Sequence, residues 1–338
     1  MLSRVKSVAT IGLDTVEVVV EVDVANKGFP AFDIVGLPDK AVGESRARVK
    51  KAIENSGFNF PDKRITVNLA PADLHKEGSN YDLPIAVGIL LASGEIVITN
   101  DTGKSGESGN ASEASNIGGY FYGELGLSGE VKVVRGTLLV AMAAKENGVN
   151  EIYVPIESAM EGSVVDDVVV YPVRNLQELV DHLRDKKKIE KVKHLEPNTL
   201  LDDVVGWVDM SEIAGQEMAK RAAEISAAGG HNLLLVGPPG AGKTMLAKRV
   251  PTILPDLTPD ESIETTRVYS VLGLLPREQA LLATRPYRSP HHTISEAGLV
   301  GGGGSGTPAR WCRGRSRAGR RPACRNSTRA CERLRSAR

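Results

Sequence analysis

Gly237, Pro238, Pro239, Gly240, Ala241, Gly242, Lys243 and Thr244 spell G-x-x-x-x-G-K-T without a gap. This spacing suits a chain of phosphates. Glycines let the backbone turn its N–H groups toward the anion, and a following helix adds the partial positive charge of its first turn. In such a loop Lys243 reaches the β- and γ-phosphates, and the Thr244 hydroxyl holds Mg²⁺. Leu233, Leu234, Leu235 and Val236 precede the loop as a short apolar run that reads as a buried parallel strand. The residues from Met245 onward are compatible with a helix. Strand, loop and helix in that order are the setting the motif requires, which favours a nucleotide pocket over a Gly/Pro-rich surface turn.

The elements that must position this loop belong to a chain of 338 residues, enough for two domains with separate cores. Its formal net charge of zero hides two populations. Eleven of the 42 Lys and Arg residues, but only one acid, Glu332, lie in 301–338, so residues 1–300 carry ten more acidic than basic side chains. Cys312, Cys324 and Cys331 also lie in that tail, and a body without cysteine shows no disulfide framework. The opening MLSRVKSVATIGLD lacks the apolar core of a signal peptide, and the apolar run Leu83 to Ala92 is too short to span a bilayer. The expectation is a soluble cytoplasmic protein without membrane contact.

Residues 1–185 read as a first domain mixing strands and helices. Val16, Val18, Val20, Val22 and Val24 recur with a period of two, as do Ile65, Val67 and Leu69. Gly36-Leu-Pro-Asp39 opens a helix with Val42, Ser45, Val49 and Ile53 on one face and Gly57 at its end. Asp82 is the expected N-cap of an apolar helix that stops near Ser93-Gly94. Residues 99–117 are almost all polar or small and read as a mobile surface loop. Phe121 to Glu130 reads as strand, turn, strand, followed by a helix over 138–147 and a strand over 152–155. Arg46, Arg48, Lys50 and Lys51 form a basic cluster that a polyanion would suit, although a solvated helix face explains it more simply. His75, Lys76 and Glu77 offer acid–base groups in a turn, where a lone histidine is more often structural. Residues 186–208 form a charged linker, and 209–306 a second domain.

Gly215-Gln216 with an Ala-rich helix directly before the phosphate loop resembles the opening of the AAA+ ATPases. Thr266-Arg-Val-Tyr-Ser270, Gly273-Leu-Leu-Pro276, Ser289-Pro-His-His-Thr293 and the glycine run 301–304 then follow. With FDIVGLPDKAVGESRARVKKAI (32–53) and VNLAPADLHKEGSNYDLPIAVG (67–88), they are similar to the magnesium-chelatase-like AAA+ proteins, in particular the ComM/YifB competence-type branch. The resemblance spans about 1–306.

The resemblance implies a first domain with the α+β fold of the Lon-protease C-terminal domain (ribosomal S5 domain 2-like), followed by a partial α/β P-loop NTPase domain. It implies ATP and Mg²⁺ as cofactors, a homo-oligomeric ring, and DNA as partner of a branch-migration motor. Lon-like proteases place a nucleophilic Ser four residues after a Lys in K-D-G-P-S-A. The matching stretch here is Lys76-Glu-Gly-Ser79-Asn80, with Asn80 at the serine position, so proteolysis is not expected. His291-His292 would need further ligands for zinc, and in the family this stretch is a loop preceding the second nucleotide motif.

That second motif, an apolar strand ending in Asp-Glu, does not follow. After Pro308 the chain has no Asp and only Glu332. The Arg-rich residues 307–338 read as an out-of-frame, disordered tail or, alternatively, as a nucleic-acid-binding arm. The expectation is nucleotide binding with impaired hydrolysis and no intact catalytic residue. The alternatives are a magnesium-chelatase ATPase subunit or a non-functional nucleotide-binding fragment.

Overall fold

The computed structural model describes residues 1–25, 29–37, 39–74, 76–97, 115–202, 208–276, 279–289 and 293. Most of the 99–117 loop, His75, His291, His292 and the tail lie outside the described residues. The chain divides into two units. The first takes in Met1–Leu195 with Tyr269–Ala280, and the second Glu196–Val268 with the segment from Leu281.

In the first unit, β1 (Leu2–Ile11) and β2 (Asp14–Val24) form an antiparallel hairpin. Its turn passes through Gly12 at φ +63°, a left-handed conformation that costs glycine nothing. Along β2 the buried side chains are Val18, Val20, Val22 and Val24, which is the period of two read as one covered face. Next come β3 (Ala31–Val35), α1 (Lys40–Asn55), β4 (Arg64–Ala70), α2 (Asp82–Ala92) and β5 (Ser115–Phe121). The short strands β6 (Glu124–Leu125) and β7 (Val131–Lys132) pair as a ribbon. Helix α3 (Thr137–Glu146), β8 (Glu151–Pro155), α4 (Ala159–Gly162), β9 (Val169–Val173) and α5 (Leu176–Leu183) complete the unit.

The central sheet has the order β3-β4-β2-β1-β5-β8-β9. Four of its six pairings are parallel; β1 with β2 and β2 with β4 are antiparallel. Helices α1, α2 and α5 pack with one set of sheet side chains, including Val5, Val20 and Val67. Helices α3 and α4 pack with another, including Val8, Ile152 and Val170. The unit is therefore a mixed α/β sheet covered on both faces.

The local signals read in α1 recur in its packing. Val42, Ser45, Val49 and Ile53 are fully buried. Asp39 caps the helix by accepting from the Val42 N–H at 2.7 Å. Gly57 follows the Ser56 C-cap at φ +82°. The basic residues nearby are dispersed. Lys50 lies over the Phe60 ring, Lys51 pairs with Glu54, and Arg46 donates to the carbonyls of Gly43 and Phe32. Arg48 turns inward.

Asp82 is not the N-cap of α2. Tyr81 holds that position, and Asp82 is the first helical residue, with its side chain fully withdrawn from water. A bare carboxylate cannot stay there without partners. Arg48 donates to it twice, at 2.7 and 3.2 Å, and the Leu125 N–H donates at 3.3 Å. Burial raises its pKa, and the arginine opposes that shift.

At the far edge of the sheet, His182 of α5 is 8 % exposed and packs against the rings of Tyr153 and Tyr171. Its Nδ1 accepts from the Ile189 N–H at 2.8 Å, so the ring is neutral with its proton on Nε2. Burial, with Lys188 close by, holds its pKa below the usual histidine value, against Glu151 and Asp185.

In the second unit α6 (Pro197–Asp202), α7 (Glu217–Gly229), α8 (Lys243–Arg249) and α9 (Pro259–Leu272) follow one another, the last residues of α9 counting with the first unit. Among its described residues there is no strand. The expectation of a buried strand over Leu233–Val236 is therefore corrected. Leu233 and Leu235 pack toward a small cluster, but Leu234 and Val236 are 85 % and 86 % exposed. The segment keeps the alternation of a strand, and among the described residues no neighbouring backbone pairs with it.

Two outcomes test this packing. Arg48→Ala leaves Asp82 buried and unpaired, so unfolding in denaturant should show a loss of about 3 kcal/mol; a loss no larger than that of an exposed arginine would contradict the account. The neutral His182 contributes stability that is complete above pH 6.5 and is lost as pH falls below that value, because the unfolded chain takes up the proton first. His182→Asn keeps an acceptor for Ile189 but does not titrate. Its stability curve between pH 7.5 and 5.5 should be flatter than that of the natural chain, and equal slopes would refute the role.

Candidate functional site

The phosphate-loop motif rests on three short elements of the second unit. Helix α7 ends at Gly230, which caps it at φ +62°, and the Ser226 hydroxyl donates to the His231 carbonyl at 2.7 Å. Residues 231–236 then lead into the loop. Leu233 and Leu235 anchor this approach beside Met210, Ile213, Ala223 and Leu246. Arg249, in the last turn of α8, donates to the Asp209 carbonyl at 3.1 Å and to the Glu212 carboxylate at 2.5 Å. The short turn Met210–Glu212 is thereby fastened to the helix that carries Lys243 and Thr244.

Within the loop, Gly240 and Gly242 adopt φ +82° and +79°. These are left-handed conformations that side chains disfavour by roughly 1–2 kcal/mol. Apart from the adjoining residues, nothing lies within 4 Å of where a Cβ would stand on either residue. Gly242 is the N-cap of α8 and accepts from the Leu246 N–H at 2.9 Å. The backbone N–H groups of Lys243 and Thr244 begin the helix and have no partner within it.

Lys243 closes the loop on itself. Its ammonium donates to the carbonyls of Gly237 at 2.8 Å and Pro238 at 2.6 Å. Gln216, at φ +61° just before α7, reaches the Ala241 carbonyl at 3.5 Å. Pro238, Pro239 and Thr244 are exposed. An ammonium, a hydroxyl and N–H groups left without a partner in the helix, gathered on a glycine-rich turn, form a donor set that fits phosphate oxygens, and the exposed Thr244 hydroxyl suits a hard cation such as Mg²⁺. The motif signalled the glycines and Lys243. The contact of Gln216 with the loop and the brace through Arg249 depend on tertiary packing.

The other candidate groups resolve differently. Lys76 is fully buried, its Nζ donates to the Pro71 carbonyl, and loss of water lowers its pKa. Ser79 donates instead to the Glu124 carboxylate. Asn80 is buried, and its backbone carbonyl accepts from Gly123. These partners hold residues 71–82 in place, and Lys76 is spent on a carbonyl instead of activating a hydroxyl. Among the described residues no three His, Cys, Asp or Glu side chains stand close enough to hold a metal ion. Nor is any helix there long and apolar enough to cross a membrane.

Two family models match the chain. "Subunit ChlI of Mg-chelatase" covers residues 20–158, and "Magnesium chelatase, subunit ChlI" covers 209–315. The chain is similar to the uncharacterised protein YifB of Salmonella typhimurium, with 40% identity over 311 residues, 91% of this chain and 56% of that protein. It is also similar to the competence protein ComM of Haemophilus influenzae, with 40% identity over 306 residues, 89% of this chain and 56% of that protein. The same identity, over 89% of this chain, holds for the uncharacterised protein Rv2897c of Mycobacterium tuberculosis. The chain thus spans about 56% of the length of these relatives. Models of one magnesium-chelatase subunit thus match the chain over 20–158 and again over 209–315, and over about 90% of its length it is similar to the ComM and YifB proteins.

Proposed function

We propose that the chain binds ATP with Mg²⁺ in the loop Gly237–Thr244, as the nucleotide-binding part of a ComM-type AAA+ protein acting on DNA. The observation that carries this reading is the left-handed glycine loop closed by Lys243 and continued directly into α8. The backbone N–H groups and the Lys243 ammonium would hold the phosphates, and Thr244 would hold the magnesium ion, which when bound neutralises charge on the phosphates. Lys243 must leave the carbonyls of Gly237 and Pro238 to do so. Those bonds keep it in place until a better acceptor arrives.

In this reading residues 1–185 form a Lon-like domain without proteolytic activity, 186–208 a linker and 209–306 the P-loop domain. In the same reading the protein is cytoplasmic and works as a homo-oligomeric ring on DNA. The residues that follow the loop in this chain supply no apolar strand ending in paired acids. Binding is therefore expected to exceed turnover, since hydrolysis needs a carboxylate to help hold the metal and order the attacking water. A magnesium-chelatase ATPase subunit is the second reading, favoured by the names of both matching family models. The similarity to a competence protein over 89% of the chain favours the first.

Titration of the full chain with a fluorescent ATP analogue, with and without Mg²⁺, tests the site. Lys243→Ala should weaken binding at least tenfold, and phosphate release by the natural chain should stay near background. Equal affinity of the variant would remove the loop from the account. Sustained Mg²⁺-dependent phosphate release would overturn the expectation of impaired hydrolysis.

A further inference from the structure

A polar depression of about 410 Å³ lies in the first unit. Three elements meet there. The C-terminal end of α1 contributes Asn55 and Ser56, the β6–β7 turn contributes Ser128 and Glu130, and the start of α5 contributes Arg174 and Gln177. Backbone bonds stitch these walls together. Leu176 N–H donates to the Gly129 carbonyl and Val131 N–H to the Arg174 carbonyl, each at 2.8 Å, and the Asn55 amide donates to the Leu127 carbonyl at 2.7 Å. Gly129, at φ +84°, presses so close to Ser56 that a Cβ would stand 2.0 Å from the serine Oγ. The shape is therefore built into the fold and does not wait for a ligand.

Several of its polar side chains are not consumed by the protein. Ser56 is only 9 % exposed, yet among the described residues its hydroxyl has no hydrogen-bond partner. The Arg174 guanidinium and the Gln177 side-chain amide likewise have none there. Asn175 caps α5 by accepting from the Glu178 N–H at 2.8 Å. The Gln177 N–H, one residue earlier, has no acceptor within the helix. Among the described residues the Glu130 carboxylate has one partner, the exposed Lys132, at 3.4 Å.

The lining of the depression carries both signs of charge. Helix α5 brings its positive end, together with Arg174. Helix α1, sixteen residues long, brings its negative end, and Glu130 adds a carboxylate. A simple anion would meet Glu130, and a simple cation would meet Arg174. A ligand carrying both charges a few ångströms apart satisfies both poles.

We propose that this depression binds a small zwitterion of the α-amino acid class. Its carboxylate lies on Arg174 and the Gln177 N–H, its ammonium faces Glu130, and the Ser56 hydroxyl bonds to it from the floor. The volume suits a compact hydrophilic molecule, at the lower end of the range for ligand sites.

The test is a titration of the full ¹⁵N-labelled chain with glycine, L-serine and L-glutamine, and separately with acetate and methylammonium. Saturable shifts of the Ser56, Gly129 and Gln177 amides are expected with at least one amino acid. Acetate and methylammonium should bind at least tenfold more weakly. Arg174→Ala and Glu130→Gln should each weaken the amino acid at least tenfold; the second is close in shape to the natural side chain and guards against a folding defect in the first. No saturable shift with any of the three amino acids overturns the proposal. So does acetate binding as well as the amino acids, or undiminished binding by both variants.

Discussion

All eleven residues of α2 are withdrawn from water, and the first of them is a carboxylate. That combination sets the terms for the first unit. Burying Asp82 requires a counter-charge within hydrogen-bond reach, and Arg48 supplies it from α1. Asp82 also needs an N–H donor, which Leu125 provides from β6. One side chain thus fixes the distance between two helices and the position of the β6–β7 ribbon. On its other side α2 lies close enough to the sheet that a Cβ on Gly88 would stand 2.6 Å from Val22, and the buried Ser3 hydroxyl donates to the Gly88 carbonyl at 2.8 Å. The helix can therefore neither slide nor rotate without leaving a polar group unpaired.

The β6–β7 ribbon held by Asp82 forms one wall of the polar depression, and α1, which carries Arg48, ends in another. The geometry of that surface is thus inherited from the buried ion pair. The same logic accounts for residues 71–82. Lys76, Ser79 and Asn80 are each engaged with a backbone or carboxylate partner, so a segment rich in reactive side chains serves to hold α2 at its start.

The Gly237–Thr244 loop obeys a different constraint. Its conformation is local, set by glycines at two left-handed positions and by a lysine that returns to the carbonyls at the start of its own loop. Such a loop forms wherever the chain can turn. The extended segment before it is not local in this sense. Leu233 and Leu235 find a small apolar cluster, while Leu234 and Val236 remain in water, because a strand is completed only by backbone supplied from a neighbour.

What the sequence by itself determined follows from this distinction. Features that depend on nearby residues were legible: the alternating valines of β2, the buried stripe of α1, the glycine after its end, and the glycine turn that leads into α8. Period, capping and φ preference act over a few residues and leave marks at fixed spacings. The role of Asp82 was not legible, because a carboxylate at a helix start looks the same whether it caps its own N–H groups or reaches an arginine thirty-four residues away. Nor was the exposure of Leu234 and Val236, since an apolar run does not reveal whether other strands lie beside it. The polar depression was equally hidden, its residues drawn from three distant segments with no spacing to link them. Tertiary structure alone decided these, because burial, pairing and charge compensation are properties of neighbours in space.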